Sequence, residues 1–230
     1  MTSIAESLKK VRSEIEKACA ESNRSEKEVC LLAVSKTRSV DEVSELARLG
    51  QRAFGENYLQ EALDKISALE PLNLEWHFIG PIQSNKTKSI AEQFAWVHSV
   101  DRLKIAQRLS AQRPHYAEDL NICLQVNISC EESKSGCFPD EALELAKQIA
   151  ELPKINLRGL MAIPEATEDV ELQKERFCQV RTLFEEIKQT IPSLDTLSMG
   201  MSGDLDAAIE EGATIVRIGT ALFGPRNYNK

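Results

Sequence analysis

The feature that most constrains this chain is an alternation, repeated eight times, of a short apolar run with a stretch of helical periodicity. Alternating β and α segments imply parallel strands joined by crossover helices, and eight such units suit a closed barrel. The apolar runs fall at 30–36, 52–55, 74–79, 95–100, 120–128, 155–163, 194–199 and 213–218. Between them apolar residues recur every three or four positions, as in Phe177, Val180, Phe184, Ile187 and Ile191. An extra helix stands in front, marked by Ile4, Leu8, Val11, Ile15 and Ala18, and the spacing Ser39-x-x-Glu42 predicts a capping box after the first strand. The expected fold is therefore a single (β/α)8 TIM barrel with an additional amino-terminal helix. An open doubly wound sheet is the alternative, but no Gly-x-Gly-x-x-Gly turn follows an early strand. No linker or low-complexity segment divides the 230 residues, so residues 1–230 read as one domain.

Charge narrows the partners. With 28 Lys and Arg against 36 Asp and Glu, the net charge of −8 argues against nucleic-acid binding and anionic membranes. No apolar run approaches membrane-spanning length. Met1-Thr2-Ser3-Ile4-Ala5-Glu6 reads as a helix opening rather than a signal peptide. The six cysteines form no Cys-x-x-Cys pair and have no histidine at ligand spacing, so no metal site is expected. Cys30 and Cys123 read as core thiols, while Cys130 and Cys137 flank a polar loop where oxidation is conceivable. The chain reads as cytoplasmic and reduced.

In barrels of this kind the site forms at the carboxyl ends of the strands. Those ends carry Lys36, Glu56 and Asn57, His77 to Gly80, Ser99, Asn127, Met161, Ser198 to Met201, and Arg217 to Thr220. Lys36 closes the run Cys30-Leu31-Leu32-Ala33-Val34-Ser35, where an amine is costly unless paired, solvated or chemically used. At a barrel rim it is placed to form an imine with an aldehyde. Its plainer reading is a rim lysine paired with Glu56. After the seventh run, Ser198-Met199-Gly200-Met201-Ser202-Gly203-Asp204 leads into a helix, and the eighth ends in Arg217-Ile218-Gly219-Thr220. Small residues let backbone N–H groups approach an anion, and phosphate sites in this fold favour these two loops. The plainer reading there is ordinary caps and turns. Arg217 shares strand parity with Ile215 and points inward. It either pairs with a carboxylate such as Glu56 or donates to the ring nitrogen of a bound pyridoxal. His77 reads as a hydrogen-bonded barrel histidine, and Lys134 as a solvated charge near the mouth.

These residues resemble the pyridoxal phosphate homeostasis protein family. The resemblance is carried by Leu31-Leu32-Ala33-Val34-Ser35-Lys36, Phe54-Gly55-Glu56-Asn57-Tyr58 and Trp76 through Lys86. It continues through Ser133-Lys134-Ser135-Gly136, Arg158-Gly159-Leu160-Met161, Met199-Gly200-Met201-Ser202 and Val216-Arg217-Ile218-Gly219-Thr220. It implies a barrel like the amino-terminal domain of alanine racemase, with pyridoxal 5'-phosphate held as an imine on Lys36. It further implies phosphate contacts from Ser202, Gly219 and Thr220, Arg217 at the pyridine nitrogen and Asn57 near the ring. The family usually has an acidic residue after Gly-Met-Ser. Here Gly203 stands there, with Asp204 next, so a more mobile loop is expected.

The expected role is that of a carrier or buffer in intracellular pyridoxal phosphate (vitamin B6) homeostasis, which also affects amino-acid metabolism. No catalytic residue is assigned. A racemase needs two bases on opposite faces, and in the racemases that this chain resembles the second comes from a further domain for which the sequence leaves no room. A guanidinium also gives up no proton to the ring nitrogen, which makes the ring a poorer electron sink. The alternatives are a racemase of low activity or, by fold analogy alone, a class I aldolase using Lys36. Apo-enzymes are the expected recipients of the cofactor, and a monomer is the expected state.

Overall fold

The computed structural model describes residues 3–131 and 134–225, so Met1, Thr2, Glu132 and Ser133 of the stretches quoted above lie outside the described residues. Eight parallel strands close into a barrel in chain order, with β1 (Cys30–Val34) also paired to β8 (Ile215–Ile218). Between them run β2 (Ala53–Glu56), β3 (Glu75–Phe78), β4 (Trp96–Val100), β5 (Leu120–Val126), β6 (Ile155–Ala162) and β7 (Thr196–Ser198). The crossovers are α2 (Val40–Arg48), α3 (Leu59–Ala68), α4 (Thr87–Gln93), α5 (Leu103–Gln112), α6 (Pro139–Ala150), α7 (Val170–Thr190) and α8 (Leu205–Glu210). A four-residue helix, α9 (Thr220–Phe223), follows β8, and the extra helix α1 (Ile4–Glu21) packs against α2, α8 and α9.

The local signals act as the chemistry requires. In the Ser39 capping box, Glu42 N–H donates to Ser39 Oγ at 3.2 Å and Ser39 N–H donates to Glu42 Oε2 at 2.7 Å. Strand alternation then sorts the side chains. Ala33, Phe54, Trp76, Phe78, Val97, Leu197, Val216 and Ile218 face outward into the main core beneath the helices. Leu32, Ala53, Trp96, Cys123, Met161 and Ile215 form a second, smaller cluster inside the barrel.

Several boundaries differ from the sequence reading. The first strand ends at Val34, the Ser35 N–H making a last bond to Gly55 O of β2 at 3.0 Å before the chain turns through Thr37, whose φ is a left-handed 63°. Strand β2 lies one residue later than expected, in register with β3 from Ala53 opposite Glu75 to Glu56 opposite Phe78. The fifth run stops at Val126, since the Asn127 amide turns aside to donate to Glu131 O at 2.7 Å. Helix α4 starts at Thr87 rather than Ser84, whose carbonyl accepts the Thr87 hydroxyl at 2.9 Å. Helix α8 starts at Leu205 rather than Gly203, because the Asp204 carboxylate holds the Met201 N–H at 2.6 Å. Cys30 corrects another expectation: it is the first residue of β1 and is exposed at the open amino-terminal floor, whereas Cys123 is buried.

Candidate functional site

A cavity of about 290 Å³ opens at the carboxyl ends of the strands. It brings together the six residues expected to contact the cofactor, Lys36, Asn57, Ser202, Arg217, Gly219 and Thr220, with Gly203 beside them, whereas Glu56, His77, Ser99, Asn127 and Lys134 are not in its lining. Ile79 and Met161 supply apolar walls. Its size and mixed lining suit one small ring compound bearing polar groups.

Lys36 stands partly buried, two residues past the end of β1. Its turn is clamped from α3 by a residue that the sequence reading passed over. The buried Lys65 donates to Ser35 O at 2.6 Å, to Glu56 Oε1 at 2.7 Å and to Glu61 Oε1 at 2.5 Å. The same Glu61 oxygen accepts the Thr37 N–H at 2.6 Å, and Ser35 Oγ donates to Glu56 at 2.6 Å. Two backbone groups flanking Lys36 are thereby fixed, which holds the strained Thr37 conformation in place. Burial pushes the Glu56 carboxyl above its usual range, and Lys65 and Ser35 oppose that push. Glu56, the carboxylate of those plainer readings, is engaged at Oε1 by both Lys65 and Ser35. The signal was present in the sequence: Ala62, Lys65 and Leu69 share one face of α3, so a lysine there demands a buried partner.

Arg217 is buried and points inward as its parity requires. Its Nη1 donates to Ser198 Oγ and its Nη2 to Ala162 O, both at 2.9 Å, and burial lowers its pKa to about 10. Its backbone N–H donates to Gly200 O at 2.9 Å, which ties β8 to the loop after β7. Around the anion end, Ser202 and Gly203 line the cavity with Gly219 and Thr220; the Thr220 and Ala221 amides precede the first helical donors of α9, Leu222 and Phe223, which both donate to Gly219 O at 3.0 Å. Arg38, also missed by the sequence reading, braces this corner: it donates to Phe223 O at 3.0 Å and to Gly224 O, and lies over the Phe223 ring.

Asn57 supplies a further requirement. Its Oδ1 is buried and has no hydrogen-bond partner among the described residues, so the pocket wall calls for a donor from a ligand. Gly80 seats this residue closely, since a Cβ there would lie 2.1 Å from Asn57 O. Lys134 lies farther round the rim and pairs with Glu131 at 2.8 Å, which makes it half-buried rather than freely solvated. His77 is hydrogen-bonded through both ring nitrogens, as expected of a barrel histidine. Among the described residues no cluster of three or more His, Cys, Asp or Glu side chains is arranged to hold a metal ion.

Residues 7–227 match the family model of the alanine racemase N-terminal domain. The chain is 58% identical over 228 residues to the pyridoxal phosphate homeostasis protein of Pseudomonas aeruginosa, covering 99% of this chain and 98% of that one. Among solved structures it is similar to PipY of Synechococcus elongatus with pyridoxal phosphate bound. That match has a TM-score of 0.84 at 36% identity, and covers 96% of this chain and all of PipY. An alanine racemase of Clostridium difficile shares the fold, with a TM-score of 0.71 at 13% identity over 95% of this chain and 57% of its own.

Proposed function

Because the chain belongs to the pyridoxal phosphate homeostasis protein family, whose domain is the alanine racemase N-terminal barrel, we propose that it binds pyridoxal phosphate in the mouth cavity and holds it for use elsewhere in the cell. The carrying observation is convergence. One cavity holds an amine, a buried guanidinium, two loops of small and hydroxyl residues, and an acceptor left open on Asn57. Lys36 is the residue proposed to condense with the cofactor's aldehyde, losing water to give an imine. Ser202, Gly219 and Thr220 take the phosphate with hydroxyl and backbone donors, Arg217 serves the ring nitrogen, and Asn57 accepts from a ring substituent. The cofactor supplies a reactive carbonyl, and the imine allows exchange: another amine can displace Lys36 and carry the cofactor away.

The lining supports holding over turnover. Among the described lining residues, the ionisable groups are Lys36, Arg38 and Arg217. A guanidinium donates hydrogen bonds and does not accept a proton, so the two arginines give no second base for the opposite face of a substrate. We take the protein to act as a monomeric carrier or buffer in the cytoplasm, with pyridoxal-phosphate-dependent apo-enzymes as recipients. Six free thiols suit a reducing compartment, and no helix among the described residues is long and apolar enough to cross a membrane.

The test is direct. Purified protein titrated with pyridoxal phosphate develops a visible imine band. Borohydride removes that band and leaves a pyridoxyl mass on the peptide bearing Lys36, and Lys36→Ala shows neither. A label on another lysine would overturn the assignment, and rapid isotope exchange at an amino acid Cα would overturn the carrier role.

A further inference from the structure

Five side chains form a single file inside the barrel, below the cavity. Arg217 Nη1 donates to Ser198 Oγ at 2.9 Å, and Ser198 Oγ meets His98 Nδ1 at 2.7 Å. His98 Nε2 meets His77 Nδ1 at 2.9 Å, and His77 Nε2 meets Glu75 Oε1 at 2.8 Å. Ser198 and both histidines are almost fully buried, whereas the Glu75 side chain is 50% exposed at the opposite, amino-terminal floor. Strand alternation explains the file: positions 75 and 77 on β3, 98 on β4, 198 on β7 and 217 on β8 all face inward.

With both imidazoles neutral, the two ends fix the direction of every proton. A guanidinium only donates, so the Ser198 hydroxyl accepts from Arg217 and gives its own hydrogen to His98 Nδ1. An ionised carboxylate only accepts, so His77 carries its hydrogen on Nε2 and leaves Nδ1 to accept from His98 Nε2–H. Burial favours that neutral state: it lowers the pKa of His77 and holds that of His98 well below the usual 6.5, while the bond from His77 keeps the Glu75 carboxyl low. Hydrogen bonds aligned head to tail in a medium of low dielectric polarise one another.

We propose that this file is a positioning relay in which Glu75, at the far end of the barrel, acts as the remote counter-ion of Arg217 and fixes the guanidinium for the cofactor. The proposal rests on the pyridoxal phosphate reading above. A carboxylate in direct contact would occupy the arginine's fork of donors and draw it from the cavity. Here its hydrogen-bond acceptors are the neutral Ser198 Oγ and Ala162 O, and the hydrogen-bonded path to Glu75 runs through three intervening side chains. The other charged or titratable groups around the file are accounted for. Asp204 also acts on Arg217 through space, its bond to the Met201 N–H leaving its charge in place, whereas burial pushes the Cys123 thiol up to about 12. Cys30 and Arg158 lie near Glu75, with Arg158 bonded to Asp195. Trp96 stacks on His77 with ring centroids 5.4 Å apart.

Glu75→Gln in the full chain is the decisive variant, since it removes a charge from a half-exposed site remote from the cavity and keeps the side chain's shape. It is expected to weaken retention of pyridoxal phosphate by about three- to ten-fold, the net scale of one ordinary hydrogen bond, and to displace the pH midpoint of the visible band. Glu75→Asp should restore part of the loss. Ser198→Ala should weaken retention at least as much, and Glu75→Gln added to Ser198→Ala should cost nothing more. In the cofactor-free protein, ¹⁵N spectra should show both imidazoles neutral with the proton on Nε2. Parent-like retention and an unmoved midpoint in Glu75→Gln, full additivity of the two substitutions, or protons on Nδ1 would each overturn the relay. Failure of the unsubstituted protein to take up pyridoxal phosphate would overturn the cofactor reading instead. The imidazole spectra decide the relay independently of that outcome and of whether Ser198→Ala folds.

Discussion

Lys65 fixes the turn that presents Lys36, and its own cost is set by burial. Glu56 is fully buried and Lys65 nearly so, which makes each the condition for the other. Lys65→Met should therefore destabilise the fold by about 3–5 kcal/mol, because it leaves an uncompensated carboxylate in the interior. Urea denaturation measures this loss, and adding Glu56→Gln should recover part of it. At this scale the sequence was legible wherever a residue's value followed from strand parity or its place at a strand end. Lys36, Asn57 and Arg217 were found in this way. It was only half legible where two helix residues and a strand residue close a network across the wall: the apolar face of α3 shows that Lys65 needs a buried partner, but not that Glu61 and Glu56 supply it. The file from Glu75 through His77 and His98 was missed for a related reason. Each residue reads as an unremarkable strand position, and only the barrel's closure sets β4 and β7 within hydrogen-bond reach inside it.

The loops show how unequal two glycines at one mouth can be. Gly80 follows β3 in direct backbone contact with Asn57, whereas nothing lies within 4 Å of a Cβ built on Gly203. Gly80→Ala should displace Asn57, cost on the order of 1–3 kcal/mol and reduce cofactor retention. Gly203→Ala should leave retention intact and thermal stability equal or slightly raised, since it narrows the unfolded ensemble without a clash. Thermal melts and equilibrium dialysis of the two variants read both effects. An acidic residue at 203 has the same open space, so the departure from the family pattern costs the loop no packing. Helix and strand interiors were legible from periodicity, but their ends were set by side chains that turn back on the chain. Asn127 shortens β5 and Asp204 delays α8, and neither event leaves a trace in apolar spacing.

For the molecule as a whole, the buried imidazoles make stability depend on pH. Both His77 and His98 have folded-state pKa values below the usual 6.5, chiefly through desolvation. Their contribution is complete above that value and is lost as the pH falls from it towards the folded-state values, because the unfolded chain then binds protons that the native chain refuses. Urea midpoints should fall between about pH 7 and pH 5, and a His77→Asn, His98→Asn double variant should show a flatter dependence over that interval. The eightfold alternation made the architecture legible before any single contact was known. The repeat specifies closure, and closure specifies which ends meet.

Because β1 pairs with β8, the lysine near the start of the chain and the arginine near its end sit on adjacent staves, with Leu32 opposite Arg217. A chain emerging from the ribosome cannot assemble this neighbourhood until its last strand is made, and joining such distant segments carries a loop-closure cost that local helices never meet. The mouth therefore matures last. A ligand that grips both sides would clasp the seam.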